Sequence, residues 1–173
     1  MTPREPAFSP QQVLLHVDAL YTFAWRLSRD AHVAEDLVQE TFARCLANSH
    51  AFAPGSNLKA WLFRILRNAF FDLRRREGRS PLRAFEDASS EDGPLPSTPS
   101  DTKPDQLRHL VARDIEAALL ALSDDHRSVV LLDLEGFSEQ EIASVMDCAS
   151  GTVKSRLARA RAALREQLRE YAR

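Results

Sequence analysis

Lys154, Ser155, Ala158 and Arg159 sit within "SEQEIASVMDCASGTVKSRLARARAALRE", Ser138 to Glu166, a stretch that sets an acidic half against a basic one. Residue types at this spacing suit polyanion recognition. A helix inserted into a major groove presents its first turns to base edges, with long cations able to reach guanine or phosphate. The intervening Val153, Leu157 and Ala160, continued by Leu164 and Leu168, recur with helical period and make a buried stripe, so the chemistry-bearing residues face elsewhere. A protein-facing helical hairpin is the plainer use of the same pattern.

The cations are concentrated, although the formal net charge of the chain is -2. Residues 59 to 83 hold eight Lys/Arg against two Asp/Glu, and residues 150 to 173 hold seven against two. The remainder is acidic. Two separate basic blocks imply separate contacts with a polyanion, and the acidic remainder weakens indiscriminate adhesion. The bland reading is a pair of solvated helix faces.

Catalytic chemistry finds no support in the residue pattern. Cys45 and Cys148 lie far apart without a CxxC pair and read as buried free thiols, and His16, His32, His50, His109 and His126 are scattered without ligand spacing. No Ser/His/Asp set, phosphate-cradling glycine loop or paired carboxylates stand out. Neither a metal nor a cofactor is expected. The N-terminal "MTPREPAFSPQQ" lacks the apolar core of a signal peptide and no stretch reaches membrane-span length, so a cytoplasmic protein without membrane insertion is expected.

The elements that must position these residues are helices. At 173 residues the chain has room for one ordinary domain or two small ones. The prolines and glycines leave long uninterrupted stretches, each with helical periodicity. Leu14, Leu15, Val17, Leu20, Phe23 and Leu27 supply one apolar face. Val33, Leu37, Phe42 and Leu46 supply the next, after Asp30 as a cap. Ser56 or Asn57 caps a third helix with Leu58, Leu62, Ile65, Leu66, Ala69 and Leu73 inward. Residues 79–104, with five prolines and little periodicity, read as a flexible acidic linker whose coil dimension is roughly 28 Å. A helix carrying Leu107, Leu110, Val111, Ile115, Leu119 and Leu122 follows, then one capped by Ser123 that covers "VVLLDL".

Ser138 and Glu141 form a capping box. They start a helix that buries Ile142, Ala143 and Met146, ends near Asp147, and turns through Cys148 and Ala149 to Ser150, a second cap. Two short helices joined in this way make a helix-turn-helix. The fold class is therefore all-α: two small helical domains joined by a flexible linker, the second containing the helix-turn-helix. The domains run from 11 to 78 and from 105 to 173, with residues 1–10 as a tail.

Three ordered segments carry a family resemblance. "GFSEQEIASVMDCASGTVKSRLARARAAL" resembles the C-terminal promoter-binding domain of bacterial sigma factors of the extracytoplasmic-function (ECF) type. "AEDLVQETF", Ala34 to Phe42, resembles that family's polymerase-clamp-binding helix, and "LKAWLFRILRNAFFDLRRR", Leu58 to Arg76, its minus-ten recognition helix. The resemblance implies a polymerase subunit and not an enzyme in itself. Asp36, Gln39 and Glu40 would meet the core RNA polymerase clamp. Lys59, Arg64, Arg67, Asn68, Arg74 and Arg75 would hold the downstream promoter element, with bases flipped against this helix and the preceding loop at about Phe52 to Asn57. Trp61 reads as core in preference to a stacking platform. Thr152, Lys154, Ser155, Arg156, Ala158 and Arg159 would read the upstream element. Core RNA polymerase, promoter DNA and a cognate anti-sigma factor are the implied partners. The alternative is a helix-turn-helix regulator that is not a polymerase subunit, but residues 1 to 78 lack the strand-helix alternation of a receiver domain.

Overall fold

The computed structural model of the chain describes residues 8–78 and 103–171, which form helices and turns with no strand among them. They fall into two compact units. The first carries helices α1 (Pro10–Leu14), α2 (Val17–Ser28), α3 (Ala31–Ala47) and α4 (Leu58–Glu77). The second carries α5 (Lys103–Leu120), α6 (Asp124–Leu134), the start of α7 (Glu139–Met146), and α8 (Ser150–Gln167). Single 3-10 turns lie at Ser49–Ala51 and Arg169–Tyr171.

In the first unit α2, α3 and α4 pack on one another around Leu20, Phe23, Leu27, Leu37, Val38, Leu62, Phe63, Leu66 and Phe70. Full burial of each such side chain contributes about 1.5–3 kcal/mol before conformational entropy is counted. The Phe23 and Phe63 rings meet at 5.0 Å. Asp30 caps α3 by accepting from the Val33 amide at 3.0 Å. At the start of α4 the cap is Asn57, which accepts from the Ala60 amide at 3.1 Å.

The apolar faces differ in phase from the periodic reading. Leu14 and Leu15 are 61% and 81% exposed, because the chain bends between α1 and α2 and turns Val13 inward instead. On α3 the buried face is Ala34, Leu37, Val38, Thr41 and Cys45, which leaves Leu46 outside. Thr41 is accommodated because its hydroxyl donates to the Leu37 carbonyl at 2.7 Å. The expected tail also shortens. Phe8 is buried against Phe52 and Trp61, and Ser9 and Gln12 form a capping box that starts α1 at Pro10. Trp61 itself is half-buried in this aromatic cluster.

In the second unit α6 packs along α8, with Val129, Leu131 and Leu132 buried from one helix and Val153, Leu157 and Ala160 from the other. Ser123 caps α6 as expected. Its other end closes on Gly136 at φ 84, with the Gly136 amide donating to Asp133 and the Phe137 amide to Leu132. That left-handed position costs glycine least. Arg127 is buried, and its guanidinium donates to the carbonyls of Leu119, Leu120 and Leu122 at 3.0, 2.9 and 3.0 Å. A helix C-terminus leaves such carbonyls without intrahelical donors, so one side chain closes α5 and ties it to α6. Leu110 and Ile115 on α5 are exposed, and the inward residues are Ala118, Leu119 and Leu122.

The linker expected over 79–104 lies outside the described residues except for Lys103 and Pro104, which open α5. Proline is tolerated in a first helical turn because no amide is required there.

Candidate nucleic-acid interface

The helix-turn-helix is built by local hydrogen bonds. The Ser138 amide donates to the Glu141 carboxylate at 2.8 Å and the Glu141 amide to the Ser138 hydroxyl at 3.3 Å, completing the capping box. At the other end of α7, Asp147 takes φ 52 and the Cys148 amide reaches back to the Ala143 carbonyl at 3.1 Å. Aspartate is among the few non-glycine residues that enter this conformation readily. The turn delivers Ala149, not Ser150, to the cap of α8: its extended backbone accepts from the Thr152 and Val153 amides, and no side chain caps it. Ser150 is the first helical residue instead.

Lys154, Ser155, Ala158 and Arg159 are exposed on one side of α8, with Thr152 half-buried at its first turn. The Ser155 hydroxyl donates to the Thr152 carbonyl at 3.0 Å. Lys154 places its ammonium 3.6 Å from the Glu139 carboxylate at the start of α7. Arg156 departs from the group. Its guanidinium is half-buried and donates to Asp125 of α6 at 2.8 Å, so it is turned toward protein. Arg161 likewise reaches Asp133 at 2.7 Å.

On α4, Arg64, Asn68, Arg74 and Arg75 are exposed. Lys59 is half-buried with its ammonium 5.6 Å from the Phe63 ring centroid, and the Arg67 guanidinium lies 4.4 Å from that of Phe71. Partial burial and the nearby Lys59 ammonium hold His16 below its ordinary range. Arg67, Asn68, Phe71, Asp72 and Arg75 share a groove of about 580 Å³ with Arg44 of α3. It combines cations, an amide and an aromatic face, the groups that take phosphate, base edge and base plane respectively. The Arg75 hydrogen bond, with the Arg75 and Arg44 charges, holds the Asp72 carboxyl below its usual range. Arg44, Phe71 and Asp72 were absent from the residues singled out by sequence, although Phe71 follows Asn68 at helical spacing and marks the same face.

Asp36, Gln39 and Glu40 are exposed together on α3, opposite its buried face. Glu40 accepts from Arg44 one turn on at 2.6 Å. Among the described residues no group of His, Cys, Asp or Glu could hold a metal ion, and no helix is long and apolar enough to cross a membrane.

Residues 13–80 match the model of sigma-70 region 2, and residues 112–164 match that of sigma-70 region 4. The chain is 45% identical over 153 residues to the ECF RNA polymerase sigma factor EcfG of Rhodopseudomonas palustris (strain TIE-1), covering 88% of this chain and 80% of that protein. It belongs to the ECF sigma factors. A second relative, SigL of Mycobacterium tuberculosis (strain ATCC 25618 / H37Rv), is 36% identical, covering 90% of this chain and 85% of its own. Among solved structures, the sigma factor RpoE in complex with the anti-sigma factor NepR from Bartonella quintana matches with a TM-score of 0.75 at 38% identity, covering 92% of this chain and 95% of that one. CnrH in complex with the cytosolic domain of CnrY matches with a TM-score of 0.65 at 27% identity, covering 92% and 86%. In this sigma factor, α2 to α4 lie within the region 2 match, and α6, α7 and most of α8 lie within the region 4 match.

Proposed function

We propose that this ECF sigma factor docks on core RNA polymerase through Asp36, Gln39 and Glu40 of α3. It engages the downstream promoter element with Lys59, Arg64, Arg67, Asn68, Arg74 and Arg75 of α4. It reads the upstream element with Thr152, Lys154, Ser155, Ala158 and Arg159 of α8, and Arg156 supports that face from behind. The observation that carries this reading is the pairing, on each unit, of an exposed cationic helix face with a residue able to meet a base edge. Phosphate contacts supply register and base contacts supply specificity.

Strand opening is assigned to the α4 groove, where the Arg67 guanidinium, stacked on the Phe71 ring, offers a plane beside Asn68. A base taken out of the duplex loses its stacking partners, and an aromatic or guanidinium plane replaces them. The partners are core RNA polymerase and promoter DNA, so the protein acts in the cytoplasm, where transcription takes place. RpoE and CnrH were solved with NepR and with the cytosolic domain of CnrY, and this chain has an anti-sigma partner of its own. Transcription in vitro with core enzyme, followed by mapping of transcript starts, tests the whole reading. Starts that depend on adding this chain support it; sequence-specific DNA binding with no core-dependent transcription returns the stand-alone regulator.

A further inference from the structure

Four side chains stand in series across α3 and α4. Glu40 lies 2.6 Å from Arg44, Arg44 lies 3.6 Å from Asp72, and Asp72 accepts from Arg75. The first belongs to the proposed polymerase face and the last to the proposed DNA face. Both inner members have two claimants. Arg44 is shared between the carboxylates of Glu40 and Asp72, and Asp72 is shared between the guanidinium groups of Arg44 and Arg75.

We propose that Asp72 is a positioning residue which sets how far Arg75 is available to a DNA phosphate, and that Arg44 makes Asp72 answer to the state of Glu40. The proposal rests on the reading of α3 as the polymerase face and α4 as a DNA face. In the free chain Arg44 sits closer to Glu40 than to Asp72, which leaves the Asp72 carboxylate to Arg75. A cationic polymerase surface that takes Glu40 removes the nearer partner of Arg44. Asp72 then becomes that guanidinium's nearest carboxylate, its hold on Arg75 loosens, and Arg75 turns to phosphate. Docking therefore strengthens DNA binding, and by linkage DNA strengthens docking by the same factor. All four side chains are a third or more exposed, so solvent limits the effect. Single exposed ion pairs correspond to about two- to fivefold in an equilibrium constant.

The test uses the full chain and a forked promoter oligonucleotide with an unpaired downstream strand, titrated by fluorescence anisotropy at several salt concentrations. Glu40→Gln imitates the docked state and is expected to tighten binding about two- to fivefold, with a steeper salt dependence because one more cation meets phosphate. In the Arg44→Met background the same substitution is expected to change nothing, since the series is cut. Asp72→Asn is expected to tighten binding whether position 40 carries Glu or Gln. Glu35→Gln, a neutralisation of an exposed neighbouring carboxylate on α3, measures the general charge effect. A gain for Glu40→Gln that equals that of Glu35→Gln, or that survives Arg44→Met, overturns the proposal. Arg75→Ala in the Asp72→Asn background, where Arg75 is released, separates the two levels: if it abolishes the gain of Asp72→Asn while Glu40→Gln alone is neutral, only the coupling is wrong, whereas no effect there removes Arg75 from the DNA face and the coupling with it.

Discussion

Arg156 donates to Asp125 at 2.8 Å across α8 and α6, whereas Arg159, one turn further along α8, is exposed. Two cations three residues apart thus have different surroundings. Arg156→Ala is expected to destabilise the second unit by about 1 kcal/mol, since it leaves a partly buried carboxylate without its ion pair. Arg159→Ala is expected to leave unfolding unchanged and to lower the salt slope of upstream-element binding by about one. Thermal unfolding and salt titrations of both variants decide. Equal loss of salt slope in the two would return Arg156 to the DNA face.

Arg127 makes a stronger case for structure. Its replacement by Met keeps the aliphatic stem but leaves the carbonyls of Leu119, Leu120 and Leu122 without this donor. Hydrogen bonds from a charged donor contribute about 1.5–3 kcal/mol each when isolated, and they are not additive, so a loss of about 3 kcal/mol is expected. Hydrogen exchange should report it around the junction of α5 and α6. Unchanged protection there would show that the three bonds contribute little.

Docking on polymerase is tested by Asp36→Arg combined with Gln39→Ala. Both positions are exposed on α3, where substitutions usually change stability by less than about 0.5 kcal/mol. Helical content and thermal unfolding should therefore stay nearly constant while competition for core enzyme falls. Normal competition by the double variant would place the docking face elsewhere.

The thiols provide a pH test. Burial pushes the Cys45 thiol up to about 11, whereas Cys148 is half-buried in the turn before α8. At pH 8.5 iodoacetamide should label Cys148 and spare Cys45 until the first unit unfolds. Between about pH 9 and 11 the unfolded thiol ionises while the folded one keeps its proton, so this group makes stability fall as pH rises through that window. Rapid native labelling of Cys45 would show that its site opens more easily than its burial implies.

Helix existence and several of the caps were legible because they are local, although Ser150 proved to be the first residue of α8 and not its cap. Asp30, Asn57, Ser123 and the Ser138–Glu141 box bond within a few residues of themselves, and side-chain identity at that range decides. The phase of the buried faces was not. Leu46, Leu110 and Ile115 satisfy a helical period as well as Val38, Cys45 or Ala118 do, and tertiary packing alone chose between neighbouring faces. Arg127 and Arg156 were misjudged or missed for a related reason. Hydropathy places every arginine outside, and their partners lie up to 31 residues away in sequence.

The proposed function divides the promoter between Asn68 and Arg159, both exposed. Asn68→Ala on α4 should impair strand opening at the downstream element, and substitution at Arg159 or Lys154 should impair use of the upstream element. Loss of a good base contact costs about 1–3 kcal/mol. Permanganate footprinting on templates with one element weakened at a time separates the two effects. Equal sensitivity of both variants to both elements would defeat the division.

Free of polymerase, the chain should bind promoter duplex poorly, for a reason visible in its ion pairs. Lys154 lies beside Glu139, Arg75 pairs with Asp72, Arg74 is near Glu77 and Arg161 reaches Asp133. Phosphates must therefore compete with carboxylates already in place, and each cation that changes partner yields less than an unpaired one would. The two proposed DNA faces are also on separate units of one chain, so engagement of the second gains only from the effective concentration that the connection provides. Core polymerase is expected to remove the second handicap by holding both units in one frame. Titration of matched and scrambled duplex at stated salt, with and without core enzyme, measures this directly. Weak, salt-sensitive and nearly sequence-blind binding is expected without core, and a large preference for the matched promoter with it. Tight, sequence-specific binding by the isolated chain would mean that the internal pairs give way at little cost and that α8 selects its site without polymerase.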